Sequence, residues 1–236
     1  MKTTPTLLGA TLLLIACAST PPPPDWQANA FAALNNATAA YLEGNSRVAD
    51  FEFNRAKAEI ARTGRPDLMA RAELLRCAAQ VASLDFSACT GYQALAADAQ
   101  PAEQSYAAFL TGNWAHLQPE QLPLHYRGLV KKAVESGQPT APSGTAAPMA
   151  DRYSDALSQI KDPLARLIAT SLLLKKELLA PADIGLAADF ASNQGWRRPL
   201  LAWLGVQRNR AQAAGDTNAA ASLQRRIDLV LQSPAR

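Results

Sequence analysis

The chain has 236 residues, of which 23 are lysine or arginine and 20 are aspartate or glutamate, giving a formal net charge of +3. This near balance argues against nucleic acid as a partner, because nucleic-acid-binding domains present a strongly basic surface. Apolar residues make up 48% of the chain and aromatic residues only 6%, so we expect a sizeable core built largely from small side chains.

The N-terminus has the order of a secretory signal. Lys2 precedes an apolar run from Leu7 to Ile15, and small residues follow. This run is too short for a membrane-spanning helix, which needs about 20 apolar residues. We therefore predict that residues 1–16 are a leader that is cleaved off. Its removal takes away Lys2 alone among the charged residues, so 22 basic and 20 acidic groups remain and the net charge falls to +2.

The leader ends in Leu14-Ile15-Ala16-Cys17, which resembles the lipobox of bacterial lipoproteins. The resemblance implies that the thiol of Cys17 is diacylated, that the leader is cut before this residue, and that the new amino group is acylated. Three acyl chains would anchor the protein stably in a lipid bilayer. Sorted lipoproteins that stay in the inner membrane favour aspartate after the cysteine; Ala18 stands here, so the outer membrane, with the protein facing the periplasm, is expected. The alternative is an ordinary secreted leader with a chance cysteine.

A proline block follows the cysteine. Pro21 to Pro24 favour an extended polyproline rod, because proline fixes φ near about −65° and lacks an amide donor. We therefore predict that residues 17–25, which include the acylated Cys17, form a spacer that holds the folded part off the bilayer.

Helix signals recur after the spacer, whereas alternating strand patterns are almost absent. Asp25 can cap the first helix, Gly44 ends it, and a second helix follows after a very short turn. Apolar residues recur at helical spacing in both, namely Phe31, Leu34, Ala37 and Tyr41 in the first and Val48, Phe51, Ala56 and Ile60 in the second.

Later helix starts are marked by prolines and by capping residues. These starts are Asn45 or Ser46, Pro66, Pro101, Pro119 or Pro123, Asp162, Pro181, Trp196 and Asp216, with a short helix around Tyr92 and Leu95. About eleven helices in antiparallel pairs predict an all-α fold, arranged as a stacked repeat array or as a helical bundle.

Two segments resemble the tetratricopeptide repeat. In the first, Tyr41 lies three residues before the turn glycine Gly44, and Ala49, Phe53 and Ala56 occupy the small, aromatic and small positions of the second helix. The second segment spans Trp203, Leu204, Gly205, Gly215, Ala219, Ala220 and Ile227, with Arg208 and Arg210 around the place of the expected tyrosine. The resemblance implies stacked helix pairs whose concave surface binds peptides or proteins.

Residues 137–150 are rich in proline, glycine, serine and threonine and lack an apolar period. This composition predicts a linker between an N-terminal helical half, residues 26–136, and a C-terminal half, residues 151–236. A long surface loop within one domain is the alternative.

Cys77 and Cys89 are the cysteines that remain after Cys17. Cys77 lies late in a predicted helix, and Cys89 follows the break near Ser83, so an antiparallel pair would place both beside the turn. The oxidising periplasm permits a disulfide, which we predict. The alternative is two unpaired, buried thiols.

The chain lacks the usual signatures of cofactor chemistry. His116 and His125 are the only histidines, and no cysteine lies near either, so we expect no metal site. A Gly-x-Ser-x-Gly elbow and a glycine-rich phosphate loop are also missing, and no cofactor is expected.

One segment offers an enzymatic alternative. Glu135-Ser136-Gly137, with Ser143 downstream, faintly resembles the lytic transglycosylases, in which such a glutamate is the general acid that cleaves glycan strands. Where that family has Gly-Leu-Met-Gln, this chain has Ala147-Pro148-Met149-Ala150. The competing interpretation is that Glu135 is the solvated end of a helix that enters the linker.

A second candidate site combines arginine and tryptophan, which are frequent in interfaces. It consists of Trp196, Arg197, Arg198, Arg208 and Arg210, close to Trp203. The alternative is that the tryptophans pack in the core while the arginines cover the outer face.

Taken together, the sequence features predict a membrane-anchored envelope protein that binds an unidentified protein or peptide. It would serve as a docking or assembly module and not as a catalyst. The alternative is the peptidoglycan-cleaving enzyme.

Overall fold

The computed structural model describes residues 22–136 and 149–233, and within these ranges it contains helices and no strand. The all-α prediction is therefore confirmed. The leader, Cys17 and most of both the spacer and the linker lie outside the described residues. The α-helices of the described ranges are α1 (Asp25–Glu43), α2 (Ser46–Ala61), α3 (Pro66–Ala82), α4 (Thr90–Gln93), α5 (Pro101–Thr111), α6 (Leu124–Ser136), α7 (Met149–Gln159), α8 (Pro163–Lys175), α9 (Pro181–Asn193), α10 (Arg197–Ala213) and α11 (Thr217–Gln232).

The helix starts follow from residues that satisfy or remove the orphan amide donors of the first turn. Proline stands at the first position of α3, α5, α8 and α9, where its missing N–H has no intrahelical partner to lose. The side chains of Asn45, Asp162 and Asp216 cap α2, α8 and α11 by accepting a backbone N–H. Asp25 is the first residue of α1 and not its cap, because Pro24 takes the capping position.

Helix α7 was not predicted from the sequence. It begins at Met149, within the last two residues of the predicted linker over residues 137–150. The available signal was the spacing of Tyr153, Leu157 and Ile160, whose side chains are all buried.

The main core joins helices that are far apart in the sequence. Its buried residues run from Ala70 in α3 to Ile227 in α11, so residues on both sides of the predicted linker share it. Helix α3 packs against α8, and α1 packs against α10. In an open repeat array each unit contacts only its neighbours. These long-range contacts therefore favour the helical bundle over the open array.

A second, smaller core lies inside the first helix pair and the start of α3. It consists of Ala30, Ala37, Phe53, Ile60 and Ala72. Alanines form most of the seam between α1 and α2, which lets the two helix axes approach closely.

The two cysteines meet as the sequence analysis predicts. Cys77 in α3 and Cys89 before α4 have their sulfurs 2.11 Å apart, at disulfide distance.

None of the described helices combines the length and the apolar character needed to cross a bilayer.

Candidate binding groove

A groove lies between α1, α2 and the C-terminal half of α3, with a volume of about 140 Å³. We call it the α1–α3 groove. Each of the three helices contributes four residues to its lining, namely Leu34, Ala37, Thr38, Tyr41, Ser46, Ala49, Asp50, Phe53, Leu75, Arg76, Ala79 and Gln80.

The groove arises because α3 divides its packing between the two cores. Its first half contacts the α1–α2 pair through Leu68, Met69 and Ala72. Its second half turns Cys77 and Ala78 into the main core. The remaining face of that second half is left opposite the α1–α2 pair, and the space between them is the groove.

The floor of the groove is apolar and one apolar side chain is open to solvent. Phe53, Ala49 and Ala79 are buried, whereas Leu75 is 41% exposed. The rim is polar, with Asp50 on α2 and Arg76 on α3. Such a combination of apolar floor and polar rim is typical of sites that bind a ligand with an apolar part.

Arg76 is placed over the floor. Its Cζ lies 5.2 Å from the ring centroid of Phe53, within cation–π range. Among the described residues, no carboxylate lies within ion-pair distance of its guanidinium. Its edges are therefore open to a ligand.

Arg198 of α10 holds one end of the groove. Its Nε donates to the carbonyl of Tyr41 at 2.8 Å, and its Nη2 donates to Oγ of Ser46 at 2.7 Å. Tyr41 and Ser46 both line the groove, so Arg198 fixes the turn between α1 and α2 from outside.

The neighbouring Arg197 binds the other end of the chain. Its Nε donates to the carbonyl of Val230 at 3.1 Å and its Nη2 to that of Leu231 at 3.4 Å, in the last turn of α11. A side chain added at Gly44 would approach the Arg197 guanidinium. Arg197 and Arg198 thus join three helix ends at one place.

Of the other members of the predicted arginine and tryptophan cluster, Trp196 precedes Arg197, whereas Arg208 and Arg210 lie about three helix turns further along α10 than Arg198. Trp203 is fully buried and Trp196 is half-buried against the main core. Arg208 donates to Oε1 of Gln224 at 2.6 Å, and Arg210 is exposed near the far end of α10. Arg208 stands about 15 Å along the helix axis from Arg198. Binding of an external partner by these residues stays a prediction.

Tyr41 lines the groove at the end that Arg198 contacts. Burial raises the pKa of Tyr41 above its ordinary value, and Asp85 raises it further, whereas the guanidinium groups of Arg198 and Arg76 act against this shift. The phenol therefore stays protonated at neutral pH and can donate a hydrogen bond.

The enzymatic alternative is not tested by the described geometry. Glu135 lies in the last turn of α6, but its side chain is outside the described residues, as are Gly137, Ser143 and Pro148. The glycan-cleaving role of Glu135 therefore stays a prediction.

His125 lines a separate, wide trough of about 790 Å³ between α6 and α7, together with Asp155 and Asp162. Partial burial lowers the pKa of His125, while the charge of Asp162 opposes the shift.

Within residues 22–136 and 149–233, no three histidine, cysteine, aspartate or glutamate side chains are grouped so that they could hold a metal ion.

No protein-family model matches the chain, and no curated protein or solved structure matches it either.

Proposed function

We propose that the chain is a lipid-anchored protein of the bacterial outer membrane whose helical part faces the periplasm and binds a partner protein in the α1–α3 groove. It acts as a docking or assembly module and not as a catalyst. The observation that carries the proposal is the groove itself, in which the solvent-open Leu75 stands beside a buried apolar floor. Exposed apolar surface rimmed by polar groups marks interaction sites.

The size of the groove supports a macromolecular ligand that inserts one side chain. Its volume of about 140 Å³ resembles that of cavities that accommodate a benzene ring, about 150 Å³. A single leucine- or phenylalanine-sized group fits such a space. Hot spots of protein interfaces are anchors of this kind in desolvated pockets.

The anchor is supported by the N-terminal sequence. The lipobox-like Leu14-Ile15-Ala16-Cys17 precedes the proline block, and α1 begins at Asp25, eight residues after Cys17. A polyproline-like spacer of this length would reach about 25 Å. The α1–α2 pair, and with it the groove, would then be held close to the membrane but clear of the headgroups.

The experiment is selection of peptides from a random displayed library on the purified chain, followed by binding to two matched variants. Leu75→Glu places a charge at the mouth of the groove, whereas Leu229→Glu does the same at a 69% exposed leucine of α11 away from it. We expect selected peptides that share an apolar anchor residue and that bind the wild type and Leu229→Glu but not Leu75→Glu. Selection of no common sequence, or equal binding to both variants, would contradict the proposal.

A further inference from the structure

We propose that the α1–α3 groove selects a peptide segment that combines an apolar side chain with a carboxylate, and that Arg76 binds this carboxylate. The inference rests on the proposed function, because it names the ligand class of the same groove.

The first argument is the contrast between Arg76 and the cations around it. Most basic side chains of α2, α3 and the turn between them already have an acidic partner within the chain. The ion pairs are Arg55–Glu52, Lys57–Glu73, Arg62–Glu59, Arg65–Asp67 and Arg71–Glu103. Lys57 and Arg76 both lie over the ring of Phe53, but of the two only Arg76 lines the groove. A guanidinium that rests on an aromatic face keeps its planar edge free for bidentate binding of a carboxylate.

The second argument is the position of this cation beside the apolar floor. Leu75 and Arg76 are adjacent on α3, and Ala79 lies one turn further along the same helix. A ligand whose side chain occupies the floor would therefore bring a nearby carboxylate within reach of Arg76. The same ligand would meet the hydroxyl of Tyr41 as a second donor at the groove end.

The third argument is the polarity across the groove. Arg76 contributes positive charge on the α3 side, and Asp50 contributes negative charge on the α2 side. A peptide offers both complements, because its backbone amides can donate to Asp50 while its carboxylate accepts from Arg76. A long acyl chain ending in a carboxylate offers no amide donor for Asp50, so we assign the ligand to a peptide.

The test uses N-acetyl-leucyl-phenylalanine and its C-terminal amide, two probes that differ only in the carboxylate. Each is titrated into the isotopically labelled full chain in detergent, and the amide signals of Leu75, Ala79 and Ala49 are followed by NMR. We expect the carboxylate form to bind about tenfold more tightly, as a charge-assisted hydrogen bond allows. Arg76→Gln should remove this preference, and Asp50→Asn should leave it in place while weakening both probes.

Arg47→Gln is the matched control, because Arg47 is an exposed arginine of α2 that does not line the groove. It should retain the tenfold preference. Equal binding of both probes to the wild-type groove would overturn the role of Arg76 while leaving the groove as a binding site. No shift at the groove signals with either probe would overturn the inference together with the proposed function. Displacement of the dipeptide by octanoate at equal concentration would overturn the assignment to a peptide.

Discussion

The guanidinium of Arg198 lies 4.2 Å from the ring of Tyr41 and donates to its backbone carbonyl, although the two residues are 157 positions apart. The carbonyl belongs to the last turn of α1, where the helix dipole favours a cation. This contact joins the α1–α2 pair to α10 and ties the candidate groove to the rest of the molecule.

Removal of this arginine should loosen the α1–α2 pair. Arg198→Ala loses two charge-assisted hydrogen bonds, and we expect a loss of about 2 kcal/mol in the free energy of unfolding. Hydrogen exchange followed by mass spectrometry should show that exchange becomes faster in α1 and α2 than in the other helices. Arg210→Ala, at an exposed arginine of the same helix, should change stability by less than about 0.5 kcal/mol. Equal effects of the two variants would contradict the role of Arg198.

Gly91 lies against the carboxylate of Glu73. A Cβ at this position would overlap both carboxylate oxygens of Glu73, which is buried and binds Nζ of Lys57 at 3.0 Å. Gly91→Ala should therefore push this carboxylate aside and weaken its contact with Lys57, and we expect a loss of about 1 kcal/mol in the free energy of unfolding, measured in denaturant.

Gly205 provides the opposite case on α10, because a Cβ there would meet no atom within 4 Å. Gly205→Ala should stabilise the fold by about 0.5–1 kcal/mol, since alanine loses less backbone entropy in a helix. The same sign of change for both glycine variants would contradict the close approach of Gly91 to the carboxylate of Glu73.

The Cys77–Cys89 bond closes a short segment between α3 and α4, with 12 residues of separation. The chain-entropy account assigns about 3 kcal/mol to a loop near this size. We expect Cys77→Ser with Cys89→Ser to lower the free energy of unfolding by about this amount. A reductant should have the same effect on the wild type and none on the variant. Thiol labelling of the untreated, unfolded wild type at either cysteine would contradict the pairing.

We expect the phenol of Tyr106 to ionise at a higher pH than an ordinary tyrosine, because its pKa is raised. Burial raises the pKa of Tyr106 to about 12, with the hydrogen bond to Tyr126 acting in the opposite direction. In the unfolded chain the phenol ionises near about 10. The native state therefore holds this proton between pH 10 and 12 while the unfolded state releases it. The resulting stability is fully present below about pH 10 and is lost as the pH rises through about 12.

Near-ultraviolet absorbance of tyrosinate checks this expectation. The native protein should show tyrosines that ionise about two pH units later than in denaturant, and Tyr106→Phe should remove one of them. If all five tyrosines ionised together near pH 10 in the native protein, the burial of this phenol would be contradicted.

Local chemistry made most helix boundaries predictable. Asn45, Asp162 and Asp216 cap helices through their own side chains, and prolines open three others, so each start is encoded within a few residues. The pairing of Cys77 with Cys89 was accessible for the same reason, because the turn between them is short.

The apolar faces of the first two helices were only partly predictable. Phe31 and Phe51 follow the helical period, yet their side chains are 67% and 63% exposed. Alanines such as Ala33 and Ala56 occupy the seam instead, because small residues allow the two helices to pack closely. Hydrophobic spacing alone does not distinguish a seam of alanines from a face of larger rings.

The groove was not predicted, because it depends on where α3 leaves one core for the other. Leu74 and Leu75 are adjacent, and neighbours on a helix point about 100° apart, so both cannot enter the same core. Leu74 is 1% exposed and Leu75 is 41% exposed. These two adjacent leucines, followed by Arg76, were the sequence signal for the groove. The contact between Arg198 and Tyr41 could not be predicted from the residues around either one, because it depends on the tertiary fold.

The proposal that the chain is a lipid-anchored envelope protein is tested most directly by the intact mass of the protein purified from the membranes of a bacterial host, alongside the Cys17→Ala variant. We predict a chain that starts at Cys17 with the added mass of three acyl chains, and loss of the variant from the membrane fraction. An unmodified mass with cleavage at another position would contradict the anchor.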